Sequence, residues 1–241
     1  MKLSYSKLSS YLQCQQKYKF QYIDQLPGEK VSSSSAELGK YIHKILENYR
    51  EGLDIMELAN VFKKEYVIAE QEEKSIPLML ENAKAMYTPY IGLPYNAEMY
   101  LSHELKDPNG GIEPITIHGI IDKVYLNPGT NVEVIDYKTS KSKSDNSLQM
   151  RFYTYLLNRT KGIACSQINC KVMYLRLNQT VPYVFEEHDL TEFENWIWQI
   201  TEAIGRTEKF NHHFSFVCKF CQFRNTDCQQ WKMRNSMVGN D

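Results

Sequence analysis

The chain has 241 residues, of which 42% are hydrophobic and 24% are charged, and its formal net charge is −1. This length and balance are typical of one globular domain with a sizeable core, or of one domain with an appendage. The near-zero charge excludes a uniformly basic chain, so any nucleic acid must be met by a local basic patch.

Apolar residues in the first part of the chain recur at three- and four-residue intervals, which is the helical period. Serines near the start are plausible N-caps, and Pro27-Gly28 ends the first periodic stretch. Four helices are predicted here, at residues 4–24, 36–49, about 54–73 and about 76–90, with a polar loop at 31–35.

The middle of the chain, residues 97–138, is rich in strand-forming residues. Turn signals at 106–111 and 127–131 divide it, and the second turn predicts a hairpin between the apolar runs 117–126 and 132–135. The remaining predicted elements are a helix at about 145–158, strands near 168–177 and 181–186, and a helix at 192–206. This order predicts an α/β fold with a central mixed β-sheet flanked by helices.

Two acidic segments on this hairpin carry most of the functional information. Asp122 ends Gly119-Ile120-Ile121-Asp122, and Asp136 and Lys138 lie in Asp136-Tyr137-Lys138-Thr139. Alternate side chains of a strand share a face, so Asp136 and Lys138 point the same way and the hairpin brings Asp122 beside them. Two carboxylates suit a hard cation such as Mg²⁺, and a nearby amine can stabilise developing negative charge.

An isolated Asp-x-Lys on a strand is usually a solvated ion pair. Here Asp136 follows a continuous apolar run, where a charge is costly unless it is paired or used. The pattern therefore favours metal-assisted phosphodiester hydrolysis. Glu104, on the strand before Asp122, is a candidate for a further metal ligand, with a plain surface glutamate as an equal alternative.

The six cysteines form a second constellation. Cys218, Cys221 and Cys228 supply three ligands within eleven residues, one short of a four-thiolate zinc or iron–sulfur site. Cys14 is the natural fourth, which would pin the two ends of the chain together. Spacing alone favours zinc. The other two, Cys165 and Cys170, flank a predicted strand and are expected to be small core residues.

In their order along the chain these motifs resemble the RecB-like branch of the PD-(D/E)XK nucleases. The resemblance is to members with an iron–sulfur staple, namely the AddB nuclease domain and the CRISPR-associated RecB-like exonucleases. Besides the acidic and cysteine motifs it rests on Leu3-Ser4-Tyr5-Ser6-Lys7-Leu8, Cys14-Gln15-Gln16-Lys17-Tyr18, Gly39-Lys40-Tyr41-Ile42-His43 and Gln149-Met150-Arg151-Phe152-Tyr153.

The resemblance implies a single nuclease domain over 1–241 with a restriction-endonuclease-like core. Segments 1–30 and 207–235 would form the cluster-bearing staple, and 50–95 would be a helical insertion. It also implies that Cys14, Cys218, Cys221 and Cys228 hold a [4Fe–4S] cluster, with zinc as the alternative. Prolines that often follow the first and last of these cysteines in the family are replaced by Gln15 and Gln229.

Catalytic roles follow from the same resemblance. Asp122 and Asp136 would bind Mg²⁺ or Mn²⁺, and Lys138 would assist the attacking water. His43 would lie beside the metal as a further ligand. Gln149 and Tyr153, four residues apart on one helix face, would complete the active site. Lys141, Lys143 and Arg151 lie nearby in sequence and are candidates for phosphate contacts.

These expectations combine into a metal-dependent exonuclease that hydrolyses DNA from its ends, with a preference for single strands, in recombination, repair or defence. The chain has no phosphate-loop motif of its own, so it would act alone or with a helicase or recombination protein as its partner. The alternatives are a noncatalytic DNA-end-binding subunit with a structural four-cysteine metal site, and an endonuclease of the same fold.

The sequence also bears on location. No apolar run reaches the roughly 18 residues of a membrane span, and the first residues lack the apolar core of a secretory signal. We therefore expect a soluble, cytoplasmic protein without a membrane partner.

Overall fold

A computed structural model describes residues 1–29, 33–107, 113–127 and 131–238. The predicted loop at 31–35 and the predicted turns at 106–111 and 127–131 therefore lie partly outside the described residues. In the described parts, no helix combines the length and the hydropathy that a membrane crossing requires.

Helices and strands alternate along the chain as groups rather than singly. The helices are α1 (Tyr5–Gln13), α2 (Gln15–Tyr18), α3 (Ser34–Asn48), α4 (Ile55–Phe62), α5 (Glu70–Glu73), α6 (Ile76–Tyr87), α7 (Ser147–Lys161), α8 (Glu187–Arg206) and α9 (Gln229–Val238). The strands are β1 (Lys2–Leu3), β2 (Tyr95–Leu105), β3 (Ile115–Leu126), β4 (Val132–Lys138), β5 (Ile168–Tyr174) and β6 (Gln179–Tyr183).

The strands form one mixed sheet in the order β1-β3-β4-β5-β6, with β2 paired to β3. The β2–β3, β3–β4 and β5–β6 pairs are antiparallel, and β4 runs parallel to β5. Helix α7 makes the crossover between the two parallel strands, as parallel connections require. The predicted α/β class, with a central mixed sheet and flanking helices, is confirmed.

One face of the sheet packs against α3, α4 and α6. Leu38, Ile42 and Ile45 of α3 recur at helical spacing and are fully buried. They share a core cluster with residues of α4 and α6 and with Ile135 and Tyr137 of β4. Helix α3, which carries His43, is thereby fixed against the strand that carries Asp136.

The other face of the sheet packs against α7. A Cβ atom at Gly119 of β3 would lie 3.1 Å from Leu156 Cδ1 and 3.4 Å from Phe152 Cε1, so the missing side chain lets the helix approach the strand closely. The helix ends at Gly162, whose φ of 65° is a left-handed conformation suited to glycine.

The chain divides into two compact units. The first comprises Met1–Lys2 and Ser34–Asn195, and holds most of the sheet with α3 to α7. The second comprises Leu3–Ser33 and Trp196–Asp241, and holds α1, α2, α9 and the four cysteines of the staple motif.

Three predicted elements differ from the structure. The single helix expected at 4–24 is broken at Cys14, whose extended backbone (φ −162°) separates α1 from α2. The helix expected at 54–73 ends at Phe62, with a 3₁₀ turn and an extended Tyr66 before α5. The third difference lies beyond residue 206, where no helix is predicted and the structure contains α9, which has almost no apolar periodicity to reveal it.

Candidate active site

The candidate active site forms where β3 and β4 separate. Their paired register ends at Lys123 and Ile135, and Asp122 and Asp136 occupy the next step beyond it. There the backbone amide of Tyr137 donates to Asp122 Oδ2 at 2.9 Å instead of to a carbonyl of β3. A hydrogen bond to a side chain thus replaces the backbone pairing of the two strands at this step. The two carboxylates lie together where the strands open.

Asp136 is almost fully buried, and one of its oxygens accepts a hydrogen bond while the other is in an ion pair. Gln149 Nε2 donates to its Oδ1 at 2.7 Å, and Lys138 Nζ lies 2.7 Å from its Oδ2. Lys138 also donates to Gln149 Oε1 at 3.1 Å, while Gln149 Nε2 donates to the Tyr153 hydroxyl at 3.0 Å. The predicted neighbours Asp136, Lys138, Gln149 and Tyr153 therefore form one hydrogen-bonded group.

His43 approaches the same group from α3. Its Nε2 lies 2.9 Å from the carbonyl oxygen of Tyr137, and its Nδ1 lies 3.4 Å from Asp122 Oδ2. One ring nitrogen thus contacts β3 and the other contacts β4. Gly39, one helical turn earlier, would place a Cβ atom 3.5 Å from Thr139 Oγ1, so α3 passes close to the end of β4.

The charges of this group perturb one another. Burial, and then the charge of Asp122, raise the pKa of Asp136 to about 6. Burial opposes the charged form of His43, but the Asp122 carboxylate outweighs it and raises the His43 pKa to about 9. Burial also acts against ionised Asp122, yet contacts with His43 keep the Asp122 pKa below its usual range. Asp136 therefore loses its proton less readily than Asp122 does.

The donor set suits a hard divalent cation. Burial and the charge of Asp122 disfavour the ionised form of Asp136. A bound divalent cation would offset the repulsion between these two adjacent carboxylates. Within the described residues, no three His, Cys, Asp or Glu side chains are arranged to enclose a metal ion. An open site of one or two carboxylates, completed by water and by substrate phosphate oxygens, is how Mg²⁺ is usually bound.

Glu104 does not join this site. It pairs with Thr116 on β3, six residues from Asp122, and its half-exposed carboxylate contacts Lys106. The expectation that Glu104 is a further metal ligand is therefore corrected: at about 3.3 Å of rise per strand residue it is roughly 20 Å away.

A different glutamate, Glu98, occupies the step of β2 opposite Asp122, between the paired positions Ala97–Lys123 and Met99–Ile121. Its backbone is left-handed, with φ 48°, which is unusual for a side chain of this kind. Glu98, Asp122 and His43 line one surface cavity of about 440 Å³. No pattern in the sequence identifies Glu98, because its place opposite Asp122 depends on how β2 pairs with β3.

The basic residues named from sequence have different environments. Lys141 is largely exposed and lines a cavity with Lys138 and His43. Arg151 points instead toward Asp189, 3.7 Å away, and stacks over Phe185. It is held by its own unit and is a poor candidate for a phosphate contact.

The second unit brings the four staple cysteines to one cavity, together with Phe20, Phe223 and Trp231. Burial raises the pKa of Cys228, and the neighbouring Cys221, Cys14 and Cys218 add to the shift. Cys165 and Cys170 are buried in the first unit, as expected of core residues. No enclosed metal site is formed by the cysteines of the described residues.

Comparisons with known proteins agree with this architecture. The PD-(D/E)XK nuclease superfamily matches residues 2–228. ATP-dependent helicase/deoxyribonuclease subunits of Streptococcus pyogenes, from serotypes M49 and M1, are each 26% identical over the whole chain. The chain spans only 23% of the length of these relatives.

Similarity to solved structures extends to the fold. A crystal structure from Eubacterium rectale, named “Putative exonuclease”, aligns with 90% of this chain and 86% of its own at a TM-score of 0.57, with 9% identity. The superfamily match covers nearly the whole sequence, including Asp122, Asp136 and Lys138. The chain therefore belongs to the PD-(D/E)XK nuclease superfamily, on its RecB-like branch.

Proposed function

We propose that the chain is a Mg²⁺- or Mn²⁺-dependent deoxyribonuclease that hydrolyses phosphodiester bonds from DNA ends and prefers single strands. The observation that carries this proposal is the convergence of Asp122, Asp136 and Lys138 at the opening between β3 and β4. The deoxyribonuclease named among the relatives supports the choice of DNA.

Each side chain has a role that its contacts support. Asp122 and Asp136 would hold the cation through their carboxylate oxygens, and His43 would complete that side of the site. A bound Mg²⁺ supplies Lewis-acid polarisation of the phosphoryl oxygen and acidifies a water molecule. Lys138, held by Asp136 and Gln149, would orient the attacking water and stabilise charge on the phosphate.

Gln149 and Tyr153 would act by positioning. The Gln149 amide contacts both Asp136 and Lys138, so it fixes the spacing between a metal ligand and the catalytic amine. Tyr153 restrains the same amide from the next turn of α7. Glu98 is a further carboxylate on the open side of Asp122 and would bind the metal directly or through water.

The proposal is tested with Asp136→Asn on linear and circular single-stranded DNA. We expect Mg²⁺-dependent hydrolysis of linear DNA to fall on the order of 10³-fold, because the metal contributes several kcal/mol of transition-state stabilisation. Folding and DNA binding should persist, since the substitution removes a buried charge but keeps the shape.

The two substrates separate the alternatives. Equal cleavage of circular DNA would make the chain an endonuclease of the same fold. Undetectable hydrolysis by the unsubstituted protein with either metal, despite DNA binding, would make it a noncatalytic binding subunit and overturn the proposal.

We also propose that Cys14, Cys218, Cys221 and Cys228 hold a metal centre, a [4Fe–4S] cluster with zinc as the alternative. Their support is a shared cavity in the second unit, where burial and then the neighbouring thiols raise the pKa values of Cys221 and Cys228. Four thiolates suit either centre. By analogy with a disulfide, the centre would tie chain segments that are distant in sequence and stabilise that unit.

The partner of this chain is proposed by analogy with its relatives. The relatives are named as helicase/deoxyribonuclease subunits, and this chain spans 23% of their length. A helicase or a recombination protein is accordingly the partner we propose, acting on DNA in recombination, repair or defence.

A further inference from the structure

A second cavity, of about 430 Å³, adjoins the candidate active site in the same unit. His43, Tyr137 and Lys138 form the side that it shares with the catalytic group. Its other side is formed by Ser35, Lys141 and Arg176 around a buried carboxylate, Glu72. We call it the Glu72 pocket.

Glu72 joins side chains from three other elements. It accepts from Arg176 Nη2 at 2.7 Å and from the Ser35 hydroxyl at 3.2 Å, and Lys141 Nζ lies 3.3 Å away. Ser35 lies in the first turn of α3, Lys141 follows β4, and Arg176 follows β5. One carboxylate of the helical segment α5 therefore holds hydroxyl, ammonium and guanidinium donors around a single space.

Arg176 is largely buried, with 15% of its side chain exposed, and its orientation is fixed twice. Besides the bond to Glu72, its Nε donates to the carbonyl oxygen of Thr139 at 3.1 Å. Among the described residues these contacts use two of the five guanidinium N–H groups. The fork is thus rigidly placed and retains donors for another acceptor.

Lys141, unlike the largely buried Arg176, is exposed enough to reach a ligand. Its side chain is 68% exposed, so its ion pair with Glu72 is screened and contributes little to stability. On the side of the pocket formed by Glu72, Lys141 and Arg176, one carboxylate faces two cations, which leaves a surplus of one positive charge. Surplus positive charge, planar N–H donors and a hydroxyl are the chemistry that recognises phosphate oxygens.

We propose that the Glu72 pocket binds a phosphate of the DNA strand next to the phosphodiester that is cut, with Lys141 and Arg176 donating to its oxygens. This rests on the proposed nuclease function, because the pocket shares Lys138 and His43 with the site of hydrolysis. Glu72 is a positioning residue that orients both cations. A phosphate held there fixes the strand relative to the attacking water.

DNA binding without cleavage tests the proposal. In an Asp136→Asn background without added divalent metal, a single-stranded oligonucleotide is titrated by fluorescence anisotropy over a range of salt concentrations. Lys141→Ala should weaken binding several-fold and reduce the slope of log K against log salt by about 0.7, the value for one phosphate contact on a single strand. The matched control is Lys74→Ala, since Lys74 is also exposed and paired with a glutamate, Glu70, but does not line the pocket.

Arg176 is tested by Arg176→Lys, which keeps the charge and the partner of Glu72 but removes the planar fork. We expect weaker binding with the salt slope unchanged. Thermal unfolding of each variant identifies any loss of folded protein. Should Arg176→Lys prove unstable, the Lys141 measurement alone decides.

The bound phosphate is located with oligonucleotides that carry one uncharged methylphosphonate linkage at successive positions. At one position the unsubstituted pocket should lose affinity, and Lys141→Ala should lose less there, because one of the two contacts to that phosphate is already absent. Oligonucleotides with and without terminal phosphates distinguish the source: an effect confined to the phosphorylated ends assigns a terminal phosphate, and an equal effect on all assigns an internal one.

The outcomes separate this proposal from the nuclease function itself. If Lys141→Ala retains the salt slope and affinity of its parent while the unsubstituted protein cleaves DNA, the pocket proposal is wrong and the nuclease stands. If the slope falls as expected but the unsubstituted protein cleaves nothing, the phosphate site stands in a noncatalytic DNA-binding protein.

Discussion

The Asp122 carboxylate accepts the backbone amide of Tyr137 at 2.9 Å, one step past the last paired residues of β3 and β4. This hydrogen bond satisfies an amide that the separated strands would otherwise leave without a partner. It therefore gives Asp122 two tasks, keeping the strands apart in a defined way and presenting its other oxygen to the opening.

The two tasks are separable by substitution. Asp122→Asn keeps an oxygen that can accept from Tyr137 but removes the charge, so we expect hydrolysis to fall on the order of 10²- to 10³-fold and stability to fall only by the loss of the His43 ion pair. Asp122→Ala also leaves the amide unpaired, at a cost of about 1–3 kcal/mol. Calorimetry measures the stability of both variants, and an activity assay measures their rates of hydrolysis. Equal stability of the two would show that the amide contact contributes nothing.

Gln149 is expected to act on the rate rather than on substrate binding. Gln149→Leu removes the contacts that space Lys138 from Asp136 while nearly keeping the volume. We expect kcat to fall by about 10- to 100-fold at similar KM, since small misplacements of catalytic groups have effects of this size. Adding Tyr153→Phe should cost little more, because the hydroxyl acts through the same amide. Additive losses would assign Tyr153 a role of its own.

The ion pair of His43 with Asp122 predicts a pH dependence of stability without added divalent metal. The His43 pKa is raised from 6.5 to about 9 in the folded protein, so the folded state binds the proton more readily than the unfolded one. The stabilisation is complete below pH 6.5 and is lost as the pH rises through about 9. The free energy of unfolding of the unsubstituted protein should therefore exceed that of His43→Gln most at low pH. Urea titrations in which the gap stays constant over this range would contradict the pairing.

Much of this site could be predicted from the sequence because it depends on local patterns. The apolar runs around Asp122 and before Asp136, joined by a turn, place both residues on neighbouring strands, and the four-residue spacing of Gln149 and Tyr153 places them on one helix face. Helical periodicity likewise located α3 and its His43.

What could not be predicted depends on register and on long-range contacts. The choice between Glu98 and Glu104 follows from how β2 pairs with β3, which alternation alone leaves undetermined. The break at Cys14 interrupts a sequence whose helical period continues through it. Glu72 looks like any glutamate of an acidic helix, and only the fold brings Arg176 to it.

The cysteine cavity predicts a metal content that depends on particular thiols. Cys228→Ser should abolish the bound metal and lower the stability of the second unit, whereas Cys170→Ser, in the core of the first unit, should retain it. Protein purified anaerobically is assayed for iron, zinc and visible absorbance. Brown protein with iron identifies the cluster, and colourless protein with zinc identifies the alternative. Unsubstituted protein with neither metal would refute both.

Two glycines provide a matched test of how α7 is positioned. A Cβ atom at Gly119 would lie 3.1 Å from Leu156 Cδ1, whereas one at Gly205 of α8 would meet nothing within 4 Å. Gly119→Val should cost about 1–3 kcal/mol by overpacking and reduce activity, because α7 carries Gln149 and Tyr153. Gly205→Ala should stabilise by up to about 1 kcal/mol, as expected in a helix, and leave activity unchanged. Denaturant unfolding and kinetics of both variants measure these effects, and Gly119→Val with unsubstituted stability and rate would show that the close approach is not required.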